Sequence, residues 1–218
     1  MGAGRIAGVN SFAPLLAVLA AYLLGSLAFA VIVSRVMGLA DPRSFGDRKS
    51  TRPNVLRSGS KAAALVTLLL DAGKGLVPVL LVRAYGGAWG LAEGTVAGVA
   101  LAAFLGHLYP VFFRFQGGKG VATFIGAVFG IDWLLGIATG ATWLIIAYFF
   151  RYSSLASLVS AVFAPAYFLL GGGIAWTAAA PVAACLAAMS LLLIWRHREN
   201  INRLVAGTES KLGAKKKG

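Results

Sequence analysis

This sequence has little charge. Only 12% of its 218 residues are Asp, Glu, Lys or Arg, and 7 are acidic. Soluble domains carry about twice that share and are about 45–50% apolar. Here 59% of the chain is hydrophobic, with mean hydropathy +0.81. A compact soluble fold cannot hide so much apolar side chain. Disorder, which needs low hydrophobicity, is excluded by the same figures. Cysteine is nearly absent as well. Cys185 stands alone in an apolar run, which rules out a disulfide framework and a thiolate metal cluster. No two His, Asp, Glu or Cys residues stand at metal-ligand spacing, and a Ser-His-Asp triad has no support.

What charge there is has one sign. Twenty Lys and Arg against seven acidic residues give net +13. A pI near 10.5 invites a nucleic-acid reading. That reading fails where the charges flank membrane spans, and the charge-free windows show that they do. Residues 12–34 and 152–195 carry no charge, 62–82 carry only Asp71 and Lys74, and 120–150 carry only Asp132. Roughly 20 apolar residues cross the 30 Å hydrocarbon layer as a helix. Open sheet cannot cross lipid, and the windows lack the alternation of barrel strands. The glycines Gly171–Gly173 divide the longest window.

The windows predict an all-α, polytopic membrane bundle of about seven transmembrane helices, near 12–36, 60–83, 92–113, 120–131, 133–150, 153–170 and 175–196. The short fourth segment leaves five or six spans open. Basic residues favour the cytoplasmic side. With the N-terminus outside, only Arg5 and Arg83 face outward and Lys74 lies within a span. The other seventeen of the twenty then fall on the cytoplasmic side. The expectation is N-terminus out, C-terminus in. Residues 1–210 read as one membrane domain and 211–218 as a basic cytoplasmic tail able to touch anionic lipid.

Most of the positive charge therefore only orients the chain. Two constellations ask for more. Gly117-Gly118-Lys119-Gly120 lies where a helix starts, with Thr123 one turn on. Glycines let backbone N–H groups converge, and a helix N-terminus favours an anion. This is not a Walker A loop, because Gly120 stands where Ser or Thr would hold Mg²⁺. The chemistry it suits is phosphate binding; the plainer alternative is a flexible turn with a snorkelling lysine. In a continuous last helix, His197, Asn200 and Arg203 or Leu204 share a face. That face presents an imidazole, an amide and a guanidinium, or is simply a basic flank. A third segment, 38–61, is a polar loop containing Asn54 and Arg57. Within the second span, Asp71 and Lys74 at i,i+3 are expected to pair, because neither tolerates lipid. His107 reads as a hydrogen-bonded packing residue.

Taken together, Gly106-His107-x-x-Pro110 and Phe115-x-Gly117-Gly118-Lys119-Gly120-Val121-Ala122-Thr123 resemble a signature of the PlsY family, the bacterial acyl-phosphate:glycerol-3-phosphate acyltransferases. Gly25-Ser26 with Phe29, Asp71-x-x-Lys74-Gly75, Ser154-Leu155-x-Ser157, and His197-x-x-Asn200-Ile201-x-Arg203-Leu204 with Gly207-Thr208-Glu209 are similar to further motifs of that family, in the same order. Ala28 stands where proline is usual. The resemblance implies transfer of a fatty acyl group from acyl phosphate to the 1-hydroxyl of sn-glycerol 3-phosphate, giving lysophosphatidic acid and phosphate. It implies no metal or cofactor, membrane lipids and a soluble acyl-phosphate-producing enzyme as partners, no nucleic acid, and a bacterial inner-membrane location with the site facing the cytoplasm. Lys119, His197, Asn200 and Arg57 become the catalytic candidates. Asn54, Gly117, Gly118, Gly120, Thr123, Ser154, Ser157, Arg203 and Glu209 become the substrate-binding candidates.

The first polar loop departs from the pattern. The family's S-G-N-P-G-A-T-N-x-x-R is replaced by Asp47-Arg48-Lys49-Ser50-Thr51-Arg52-Pro53 before Asn54-Val55-Leu56-Arg57. Codons for residues 47–53 read one base later can give I-G-N-P-R-A-P, so two compensating frame shifts would restore the core; resequencing the locus tests this. If the frame stands, reduced activity or an inactive family member is expected. A small permease for an anionic metabolite, its path lined by Asp71 and Lys74, is the alternative from another class. A non-catalytic membrane scaffold is a third.

Overall fold

The computed structural model describes residues 3–44 and 60–213. Nine α-helices occur among them: α1 (Ala3–Gly25), α2 (Phe29–Val36), α3 (Lys61–Tyr85), α4 (Glu93–Leu108), α5 (Val121–Ile131), α6 (Trp133–Phe150), α7 (Ser153–Leu170), α8 (Ala180–Arg196) and α9 (Arg198–Val205). No strand is formed among the described residues. Two helices start on side-chain caps. Ser60 Oγ accepts from the Ala63 N–H at 3.1 Å, and Asp132 Oδ1 accepts from the Leu135 N–H at 3.0 Å.

Four segments are long and apolar enough to cross a membrane: Lys61–Trp89, Glu93–Phe113, Trp133–Phe150 and Ser153–Leu170. Counting the bent pairs Phe12–Gly25 with Phe29–Val36 and Ala180–Arg196 with Arg198–Val205 makes six. The remaining apolar helix is α5. Its 11 residues extend only about 16 Å at 1.5 Å per residue, short of a full crossing. The chain is an all-α, multi-pass membrane protein.

The helices form two units, Met1–Ile131 and Asp132–Gly218. In the first, α3 lies against α5 through small residues, the usual device of close helix packing in lipid. A Cβ on Gly75 would overlap the Thr123 carbonyl oxygen, and one on Gly126 would overlap that of Ala72. Helices α1 and α4 cross in the same way, with Gly25 on Ala103 and Gly106 on Tyr22. Helix α2 buries Ala30 and Val33 against Ala63 and Ala64 in the first turn of α3.

The first span is not the continuous helix expected over 12–36. It breaks at Ser26–Ala28 and bends by 49°. Lys74 Nζ donates to the Leu27 carbonyl oxygen at 2.9 Å, and Ser26 Oγ donates to the Tyr22 carbonyl at 2.8 Å. A carbonyl released from a helix in hydrocarbon must find a donor, and a lysine 47 residues away supplies it.

In the second unit, α7 contacts both α6 and α8. Helix α6 leaves Leu144, Ile145, Tyr148 and Phe149 exposed, an apolar face that belongs in lipid. The last span starts at Ala180 rather than near 175, because residues 171–176 close a turn. There Gly173 N–H donates to the Trp176 carbonyl at 2.8 Å, and the Trp176 indole stacks on Phe168. Pro181, which has no N–H to satisfy, then sits in the first turn of α8.

Candidate functional site

The glycine loop begins where α4 ends. Pro110 O accepts from the N–H groups of Phe113 and Phe115, both at 3.0 Å. Arg114 and Phe115 follow each other in the left-handed region, at φ 54° and 59°. Two consecutive non-glycine residues there are strained, so the turn is held by its contacts. Gly117 and Gly118 are buried against His107, with Gly118 N–H donating to the His107 carbonyl at 3.2 Å. Gly120 takes φ 80°, and its carbonyl accepts from the Phe124 N–H at 2.7 Å. It therefore occupies the N-cap place of α5 without a side chain to serve the helix's first N–H groups. Lys119, half-buried, lies next to this end. That arrangement leaves a helix N-terminus next to a lysine, a combination that favours an anion.

Behind the loop is a buried polar cluster. Lys74 Nζ lies 2.8 Å from Asp71 Oδ1, the pairing that the i,i+3 spacing implies. His107 Nδ1 lies 3.6 Å from the same oxygen. Thr123 does not turn its hydroxyl toward a loop ligand as the sequence led us to expect. It is fully buried and donates to the Asp71 carbonyl oxygen at 2.9 Å. Its Oγ is also 3.1 Å from His107 Nδ1. Asp71 lies ten residues into α3, so the start of α5 meets that helix well past its first turn.

The second constellation is in the other unit. The expected continuous helix through His197 is broken there, and α8 and α9 meet at 59°. His197 N–H donates to Leu193 O and Ile194 O at 3.1 and 2.9 Å. The imidazole is 2% exposed, with Nδ1 2.8 Å from Leu193 O. A carbonyl only accepts, so Nδ1 carries the proton and, in the neutral ring, Nε2 is the basic nitrogen.

One carboxylate gathers the rest. Glu209 Oε1 accepts from Ser154 Oγ and Asn200 Nδ2, each at 2.7 Å, and Oε2 accepts from Arg203 Nε at 2.7 Å. Burial acts to raise the Glu209 carboxyl; the hydrogen bonds from Ser154, Asn200 and Arg203, with the Arg203 charge, outweigh it and hold the pKa below its ordinary value. A carboxylate so occupied orders protein groups rather than a phosphate. Ser157 is likewise committed internally, donating to Ser153 O at 2.7 Å and accepting from Trp143 Nε1 at 3.1 Å. Gly207, at φ 68°, ends α9 and lets Thr208 and Glu209 return their N–H groups to Arg203 O. Asn54, Arg57 and the divergent segment 47–53 lie outside the described residues.

The family model described as glycerol-3-phosphate acyltransferase matches residues 15–207. The chain belongs to the glycerol-3-phosphate acyltransferase family. It is an acyltransferase of phospholipid synthesis, which excludes the permease reading. The glycerol-3-phosphate acyltransferase of Albidiferax ferrireducens is 65% identical over 207 residues, covering 95% of this chain and 92% of that one. The Bordetella petrii protein of the same name is 60% identical over 197 residues, covering 90% and 92%. Crystal structures of PlsY, an integral membrane glycerol 3-phosphate acyltransferase, match over 92% of this chain and 96% of theirs. The glycerol 3-phosphate form has TM-score 0.82 at 35% identity, and the lysophosphatidic acid form 0.81 at 34%.

Lys74 pairs with Asp71 and His107 is a hydrogen-bonded packing residue, as the sequence implied, but two of their contacts were not legible there. The partners, Thr123 for His107 and Leu27 for Lys74, are 16 and 47 residues away. The only available signal was that charge inside a span needs a partner.

Proposed function

We propose that this acyltransferase uses acyl phosphate as donor and releases lysophosphatidic acid and inorganic phosphate. The 1-hydroxyl oxygen of glycerol 3-phosphate bonds to the acyl carbon, the bond from that carbon to the phosphate oxygen breaks, and the hydroxyl proton passes to a substrate phosphate. The observation that carries the reading is the N-terminus of α5, with Gly120 as its side-chain-free cap and Lys119 next to it in the chain. Both proposed substrates bear phosphate, and the PlsY neighbours were solved in glycerol 3-phosphate and lysophosphatidic acid forms.

Lys119 and the first N–H groups of α5, which Gly120 leaves uncapped, neutralise phosphate charge that grows on the leaving group. In the second unit, His197 Nε2 is the basic nitrogen suited to orient a hydroxyl or take its proton. Asn200 and Arg203, held by Glu209, offer an amide and a guanidinium in that unit, and Arg57 and Asn54 are the candidates in the first polar loop. The site faces the cytoplasm of a bacterial inner membrane, N-terminus outside, where a soluble enzyme delivers acyl phosphate. Lys119→Ala tests the reading: kcat falls about a hundredfold or more, the usual cost of one charge-stabilising donor. Full turnover at saturating substrate would remove Lys119 from its central role.

A further inference from the structure

The cluster behind the glycine loop is larger than charge neutralisation requires. Asp71 and Lys74 already pair at 2.8 Å, and a buried ion pair is a poor source of stability, often no better than apolar side chains of similar volume. Yet His107 is drawn to the same carboxylate, and its hydrogen bonds run into the segment that holds Lys119.

Proton accounting fixes its orientation. Thr123 has one hydroxyl proton and gives it to the Asp71 carbonyl oxygen at 2.9 Å. Nδ1 of His107, 3.1 Å from Thr123 Oγ1, must therefore be the donor in that contact. Asp71 Oδ1, 3.6 Å from Nδ1, favours the same tautomer. Nε2 then lies on the loop side of the ring, so close to Gly118 that a Cβ there would overlap it. The His107 carbonyl meanwhile accepts the Gly118 N–H at 3.2 Å. One residue of α4 thus grips the segment just before Lys119, at Gly118, and just after it, at Thr123. Asp71 is fixed in turn by Lys74, which donates to Leu27 O at 2.9 Å in the break of the first span. Leu27, Lys74, His107, Gly117 and Gly118 line one small cavity.

We infer that His107, oriented by Asp71 and Lys74, is a positioning residue that clamps both sides of Lys119 and sets where the glycine loop presents its charge. This rests on the reading that Lys119 and its loop take a substrate phosphate. His107 acts through the loop, so its effect depends on Lys119.

The test is steady-state kinetics of purified full-length protein with acyl phosphate and glycerol 3-phosphate each varied. His107→Ala, His107→Asn and Gly118→Ala are compared in the native and Lys119→Ala backgrounds, with unfolding midpoints in detergent alongside. His107→Ala is expected to lower kcat/KM at least tenfold. His107→Asn, whose amide replaces the donor to Thr123, should recover most of that loss. Gly118→Ala, which displaces the ring without removing it, should reproduce the defect even if His107→Ala fails to fold. With Lys119 already Ala, His107→Ala should cost less than about threefold. Full tenfold losses in both backgrounds, or a folded Gly118→Ala with native kinetics, would overturn the clamp while leaving the phosphate role of Lys119 intact. A fully active Lys119→Ala would overturn both.

Discussion

Glu209 shows how one residue organises its neighbours. Its three donors come from α7 and α9, and the one from α7, Ser154, is 55 residues away. Local sequence cannot display that distance, so Glu209 reads in sequence as one more polar group of a terminal motif. Its pKa is lowered, so it contributes stability above the ordinary carboxylate pKa of about 4.3. That contribution is lost as pH falls through the lower folded value. Glu209→Gln should therefore unfold at a lower temperature than the native protein at pH 7, with the gap narrowing toward pH 3. An equal gap at both pH values would contradict the assignment. The sequence put His197 and Asn200 on one face only if the last helix ran on unbroken. The break between α8 and α9 at His197 was not legible, because the apolar run gives no sign of the imidazole's bond to Leu193.

At the scale of elements, hydropathy windows place helices well when lipid is the only constraint. Helices α6 and α7 occupy 133–150 and 153–170, the expected ranges. The windows fail where a side chain takes a backbone group from the helix, as Lys74 does at Leu27. Close packing offers a sharp contrast on one helix. Gly73 has open space at its Cβ position, whereas at Gly75 a Cβ would meet Thr123 O and approach Ala127 N. Gly73→Ala should leave the unfolding midpoint unchanged or raised, as replacing a helical glycine does. Gly75→Ala should cost about 1–3 kcal/mol, the usual penalty of overpacking. Equal effects would argue against the close α3–α5 contact. The segment 47–53 is a separate matter: exchange for I-G-N-P-R-A-P should raise kcat/KM if the missing small polar residues serve phosphate. Unchanged kinetics would show that the basic segment suffices.

For the whole molecule, the low charge, the high hydropathy and the one-signed remainder have a single cause. A membrane bundle exposes apolar faces to lipid and concentrates its polar chemistry at breaks and ends. The two constellations, one at the start of α5 and one around Glu209, belong to different units, and each is built from residues brought together by its own helices. The central claim is that this membrane acyltransferase draws its acyl group from a mixed anhydride with phosphate. The most direct measurement supplies purified protein with labelled glycerol 3-phosphate and either acyl phosphate or acyl-CoA of the same chain length. We predict labelled lysophosphatidic acid and an equal amount of phosphate from acyl phosphate alone. Equal transfer from acyl-CoA, or no product from acyl phosphate, would contradict it.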